Sequence, residues 1–222
     1  MTEAKTLEIQ VGPKADLRGA DLAGMDLSKR SLRGADLAGA KLVDANLAQA
    51  DLTNANLQDA DLTGADLSDA IIGADFRSAR LVDANLERVQ QYENMSIGLL
   101  HGHFNQDIPL ADFSNAVLAG ANLTSAHLAG AQLIGADLSN SDLTRVNLSW
   151  ANLKRINLSG AKLLEADLSH ADLLSARLVG ARLIMANVQG ANLVGVDFRT
   201  ASISGTDIKL AKSVHRARFD HD

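Results

Sequence analysis

The side chains that could do chemistry fall into two groups. The first lies in residues 87–107, "ERVQQYENMSIGLLHGHFNQD", with Tyr92, Met95, His101, His103 and Phe104. Two imidazoles in His-Gly-His can share a metal ion, but alone they fall short of a zinc constellation, which needs further ligands at set spacings. The second group is a recurrence of Asp or Asn through most of the chain. It supplies carboxylates everywhere, so a Ser, a His and an Asp found near one another carry no catalytic meaning. The chain has no cysteine and no glycine-rich phosphate loop between strand and helix. The residues point to no catalytic group, no cofactor and no metal, and the expectation is that the protein is not an enzyme.

The element that must carry these side chains is set by spacing. In "ADLTNANLQDADLTGADL", residues 50–67, Leu stands at 52, 57, 62 and 67 and Ala at 50, 55, 60 and 65. On an α-helix a five-residue step lands about 140° from its start, which leaves no apolar face. On a straight strand every second Leu would flip to the other side. Both fail. The pattern works if the chain turns a corner within every five residues. Ala and Leu then point inward from a short extended piece, the Asp or Asn between them points outward, and two residues make the turn. Repeated in one sense, this winds a solenoid whose coils pair through backbone hydrogen bonds.

Apolar centres run from Leu17 to Ile72 in steps of five, continue at Phe76, Leu81 and Leu86, and resume from Phe113 to Ile208. Of these 35 centres, 28 are Leu; Ala stands two before in 28, which demands an interior with room for only a methyl group there. Asp or Asn stands between them in 24, which suits an outward edge beside a turn. Repeats of the form A-(D/N)-L-x-x resemble the pentapeptide-repeat family over about four-fifths of the chain. The resemblance implies an all-β fold, a right-handed quadrilateral β-helix with four repeats per coil. Thirty-five units would then give about nine coils and a rod about 42 Å long, interrupted at 87–107.

Charge offers a check on the number of sides. Stacked strands lie about 4.8 Å apart, and like charges at that distance destabilise. Three sides would stack Asp21, Asp36, Asp51 and Asp66; four sides stack Asp21, Lys41, Asp61 and Arg80, alternating in sign. Four sides are favoured. The expected organisation is an N-terminal cap at 1–14, repeats at 15–86, a loop or irregular insertion at 87–107, repeats at 108–208, and a C-terminal cap or tail at 209–222. Each inward Leu contributes about 1.5–3 kcal/mol, so such a rod needs no disulfide.

Four departures from the repeat stand out. The step from Ile72 to Phe76 is four residues, with Gly73 at the shortened corner. Arg30 occupies an inward position where Ala is the rule, near an open end from which a long side chain can snorkel. Residues 87–107 either project as a recognition loop, with Tyr92, Met95, His101, His103 and Phe104 as contacts, or form one degenerate coil. The two ends, "TLEIQV" and "KLAKSVHRARFDHD", read as covers for exposed β-edges. Family resemblance adds pairing of two copies through the C-terminal end, and outward Leu164, Ile184 and Met185, with Phe219, are the expected interface.

These features point to a non-catalytic scaffold that binds a protein partner through rigid faces and the 87–107 segment. The resemblance implies an alternative, a DNA mimic that binds DNA gyrase or a related type II topoisomerase and modulates quinolone inhibition. Its acidic surface would be Asp44, Asp59, Asp69 and Asp83. Residues 1–107 carry 17 acids and 10 bases, whereas 108–222 carry 10 acids and 11 bases. A net charge of −6 disfavours direct nucleic-acid binding. With no apolar run able to span a membrane and no signal peptide at the start, a cytoplasmic location is expected.

Overall fold

Over most of the chain, parallel bridges link an outward edge residue to the one twenty positions on, as in Asp21 to Lys41 to Asp61. Twenty residues are four five-residue units, so the chain closes one coil of a β-solenoid every four units. The computed structural model describes residues 11–91 and 110–220. Its four faces are named here by their first edge residues: face 1 from Asp16, face 2 from Asp21, face 3 from Asp26 and face 4 from Ser31. Each corner takes the number of the face it follows.

One unit shows why the sequence folds this way. Ala60 and Leu62 point inward and are buried, with Asp61 outward between them. The Asp61 amide donates to the Ala40 carbonyl of the previous coil at 2.9 Å, and the Leu62 amide donates to Arg80 of the next coil at 2.7 Å. At the corner, the Gly64 amide reaches the Val82 carbonyl at 2.9 Å, and the Ala65 amide closes the turn on the Leu62 carbonyl at 3.0 Å. Every backbone donor of the unit but one is spent, and the edge carboxylate takes that last one: Asp61 Oδ1 accepts the Thr63 amide at 3.0 Å. This is the physical reason for Asp or Asn at the edge, since their short side chains reach the amide two residues on. The second corner residue is left-handed, with φ near +60°, a region that glycine, Asn and Asp enter at least cost.

Asn at the edge adds a bond that Asp cannot make. Its Nδ2 donates to the edge oxygen of the coil before, as from Asn56 to Asp36 at 2.9 Å and from Asn157 to Asp137 at 2.8 Å. The interior is a column of Leu and Ala with two aromatic stacks. Phe76 lies on Phe113 with ring centroids 4.7 Å apart, and Phe198 on Phe219 at 5.3 Å.

Several expectations need correction. The repeat does not stop at Leu86. Val89, Gln90 and Gln91 form another unit, with Val89 and Gln91 buried and Gln90 bridged to Ile71 and His127. The coil that ends at Gln91 is bonded directly to the coil that starts at Ala111, through Asp75–Asp112, Arg80–Val117 and Asn85–Asn122. The stack therefore holds no degenerate coil between them. The C-terminal boundary also moves. Asp207 caps a 3-10 turn, Ile208–Leu210, by accepting the Lys209 amide, so Ile208 is not a repeat centre. Ser213 and Arg218 then bridge to Asn192 and Asp197, which makes Val214 and Phe219 the last centres. Finally, two acidic pairs do stack, Asp16 on Asp36 and Asp75 on Asp112.

Gly73 and the break at Gln91 turn out to share corner 4 in adjacent coils, because Ile71 bridges Gln90. The short corner is a three-residue turn in which the Ala74 amide donates to the Ile72 carbonyl at 2.7 Å. Arg30 and Met25 are exposed, as an inward position in an open terminal coil allows.

Candidate interaction surfaces

Since the interior is filled, the chemistry of the rod lies in its edge and corner columns. The carboxylates of the N-terminal half are mostly engaged. Arg18 grips Asp16 through Nε and Nη2 at 2.8 and 2.6 Å, and reaches Asp36 at 3.6 Å. These hydrogen bonds hold the Asp16 carboxyl down at about 2. Arg77 does the same for the second acidic stack, at 2.6 Å from Asp75 and 3.9 Å from Asp112. Partial burial pushes the Asp75 carboxyl up, but bonds from Arg77 and Gln58 outweigh it and the group lies below its ordinary value. An arginine two residues after the edge thus relieves each acidic stack.

The four aspartates expected to form one acidic surface lie on three corners. Asp59 is on corner 1, Asp69 on corner 3, and only Asp44 and Asp83 share corner 2. Asp69 is held by Arg88 through two bonds of 2.8 Å, which lower its carboxyl below the ordinary range. Asp44 and Asp83 alternate with glycines and lean over them: a Cβ on Gly64 would lie 2.2 Å from Asp44 Oδ1, and one on Gly120 2.1 Å from Asp83 Oδ1. Gly64 and Gly120 leave room for those carboxylates where they now lie.

The expected dimer residues are also separated. Leu164, Ile184 and Met185 stand on corner 3, with Met185 62% exposed. Phe219 instead faces inward at the end of the rod, on Phe198. Tyr92, Met95, His101, His103 and Phe104 lie outside the described residues. Among the described residues no group of His, Asp and Glu is arranged to hold a metal ion, and no helix is long and apolar enough to cross a membrane.

One surface was missed in the sequence. Trp150, the single tryptophan, is 46% exposed at corner 4 and stacks on His170, with centroids 4.2 Å apart and planes 13° apart. His170 in turn lies over Gly190, where a Cβ would meet its Nδ1 at 2.5 Å. The signal was available: residues 150, 170 and 190 are one coil apart.

The family model for pentapeptide repeats matches residues 31–69, 111–149, 151–184 and 176–212. Among solved structures, HetL, a pentapeptide repeat protein involved in heterocyst differentiation regulation in the cyanobacterium Nostoc sp. strain PCC 7120, is 31% identical over 90% of each chain, with a TM-score of 0.31. A trypsin-treated form of QnrB1, a plasmid-mediated fluoroquinolone resistance protein, is 21% identical over 90% of this chain and 89% of its own, with a TM-score of 0.45. A pentapeptide repeat protein of the Arabidopsis thaliana thylakoid lumen is 25% identical over 60% of this chain and 68% of its own, with a TM-score of 0.22. No curated protein matches the sequence. With its unit seen bond by bond and its family model matched over more than half its length, the chain belongs to the pentapeptide repeat family.

Proposed function

We propose that the protein is a non-catalytic interaction scaffold of the cytoplasm that binds a protein partner through its edge and corner columns. The observation that carries this reading is the packed interior. Leu and Ala fill all but the end coils at close to zero exposure, so the groups free to make contacts stand in outward columns at fixed spacing. Such a surface is preorganised, which lowers the ordering cost of association. A photo-crosslinking residue placed in vivo at position 59, 150, 182 or 185 tests it. A scaffold gives a distinct partner from one side of the rod; uniform background from all four positions overturns the reading.

A second reading, binding to a gyrase-type topoisomerase as a DNA mimic, is favoured by Asp44 and Asp83, which stand outward on one corner with no ion pair among the described residues. A supercoiling assay with and without a quinolone tests it. Protection or inhibition that is lost in Asp44→Asn/Asp83→Asn supports it, and no effect of the full chain at any concentration removes it.

A further inference from the structure

Like charges stack directly at three places among the described residues: Asp16 on Asp36, Asp75 on Asp112, and Lys162 on Arg182. The two acidic stacks are each bridged by an arginine. The basic stack is not relieved in this way. Lys162 pairs downward with Asp142 at 3.1 Å. Arg182, exposed above it, has no ion pair or side-chain hydrogen bond among the described residues, and Arg177, on face 2 across the Val179–Gly180 corner, has none either. Beside Lys162 and Arg182 on face 3 stand the apolar residues of corner 3, Leu164 at 37% exposure, Ile184, and Met185 at 62%, with exposed Glu165 one coil below Met185.

We propose that this surface, the cations of face 3 beside the apolar side chains of corner 3, is the docking site for an acidic segment of a protein partner that also carries apolar side chains. Carboxylates of that segment supply the counter-charge that the acidic stacks find within the rod, and its apolar residues cover Leu164, Ile184 and Met185. A nucleic acid satisfies only the first requirement, and meets a chain of net charge −6. The inference rests on the scaffold reading and names one of its surfaces.

Fluorescence anisotropy of the full chain with a labelled peptide of alternating Glu and Leu tests it. A Lys/Leu peptide, a DNA duplex and phosphatidylserine vesicles serve as competitors in kind. The Glu/Leu peptide should bind, weaken with salt, and lose about tenfold in affinity with Arg182→Glu or with Met185→Ser. Arg182→Glu places an opposite charge over Lys162, so the melting temperature should hold or rise and loss of binding cannot be unfolding. Unchanged affinity in either variant overturns the site, as does tighter binding of DNA or vesicles. Self-association lost in Arg182→Glu, seen by sedimentation, overturns it in favour of a second copy. Cross-linking to a partner from position 150 but not from 182 or 185 removes this site alone; no partner from any position removes the scaffold reading itself.

Discussion

Gln91 Oε1 accepts the amide of Ala111 at 2.7 Å, twenty residues further along the chain, while Gln91 Nε2 donates to the Ala129 carbonyl at 2.9 Å. In an ordinary unit both bonds belong to the backbone. The amide three after a centre closes the turn on the centre's carbonyl, and the second corner amide donates to the first corner residue of the next coil. At this corner one buried side-chain amide makes both bonds.

This substitution makes a prediction whose sign reverses with context. In the full chain, Gln91→Leu strands the Ala111 amide and the Ala129 carbonyl, each at about 1–3 kcal/mol. Burial of the Leu side chain returns about 1.5–3 kcal/mol, so the net change should be destabilising. Replacing residues 92–110 by Thr-Gly, the corner used at 63–64, restores the five-residue step and should leave the rod folded. In that shortened chain Gln91→Leu should stabilise. Denaturant melts of the four proteins check both signs.

The width of the interior is tested at Ala136, which is fully buried mid-rod. Ala136→Leu should cost about 1–3 kcal/mol through overpacking. An unchanged midpoint in urea would contradict an interior with room for only a methyl group there.

His127 stands in face 4 above Gln90, and burial lowers its pKa below the ordinary 6.5. The unfolded chain therefore takes up a proton that the folded chain refuses. The contribution of this group is fully present above pH 6.5 and is lost as pH falls through the folded value. Stability should decline on acidification within that window, and His127→Gln should flatten the decline in melts taken at successive pH values.

The aromatic pair on corner 4 depends on a missing Cβ. Gly190 has φ near +69°, and a Cβ there would lie 2.5 Å from His170 Nδ1. Gly190→Ala should push His170 off Trp150 and cost about 1–2 kcal/mol for the left-handed alanine. Trp150 is the only tryptophan, so its emission spectrum reports the change directly.

The five-residue unit was legible in the sequence because its causes are local: a turn inside each unit, an edge Asp or Asn within reach of the amide two on, and alternate side chains on opposite sides. The column Asp21, Lys41, Asp61 and Arg80 could be read as well, since a regular stack turns sequence spacing into spatial neighbourhood. The same rule of twenty, applied to every residue and not to the aspartates alone, would have found Lys162 beneath Arg182 and Trp150 beneath His170. What only the tertiary structure decided lies where that rule breaks. Asp75 pairs with Asp112 and Asn85 with Asn122, thirty-seven apart, because bonding between coils and not a fixed spacing selects the partner. Gln91 looked like the loss of a pattern, yet it is an inward residue, since its amide satisfies buried backbone groups that no local signal reveals. Phe219 looked like a tail residue open to a partner, and its place on Phe198 was set by an extra residue in the last coil that the 3-10 turn at Ile208–Leu210 absorbs.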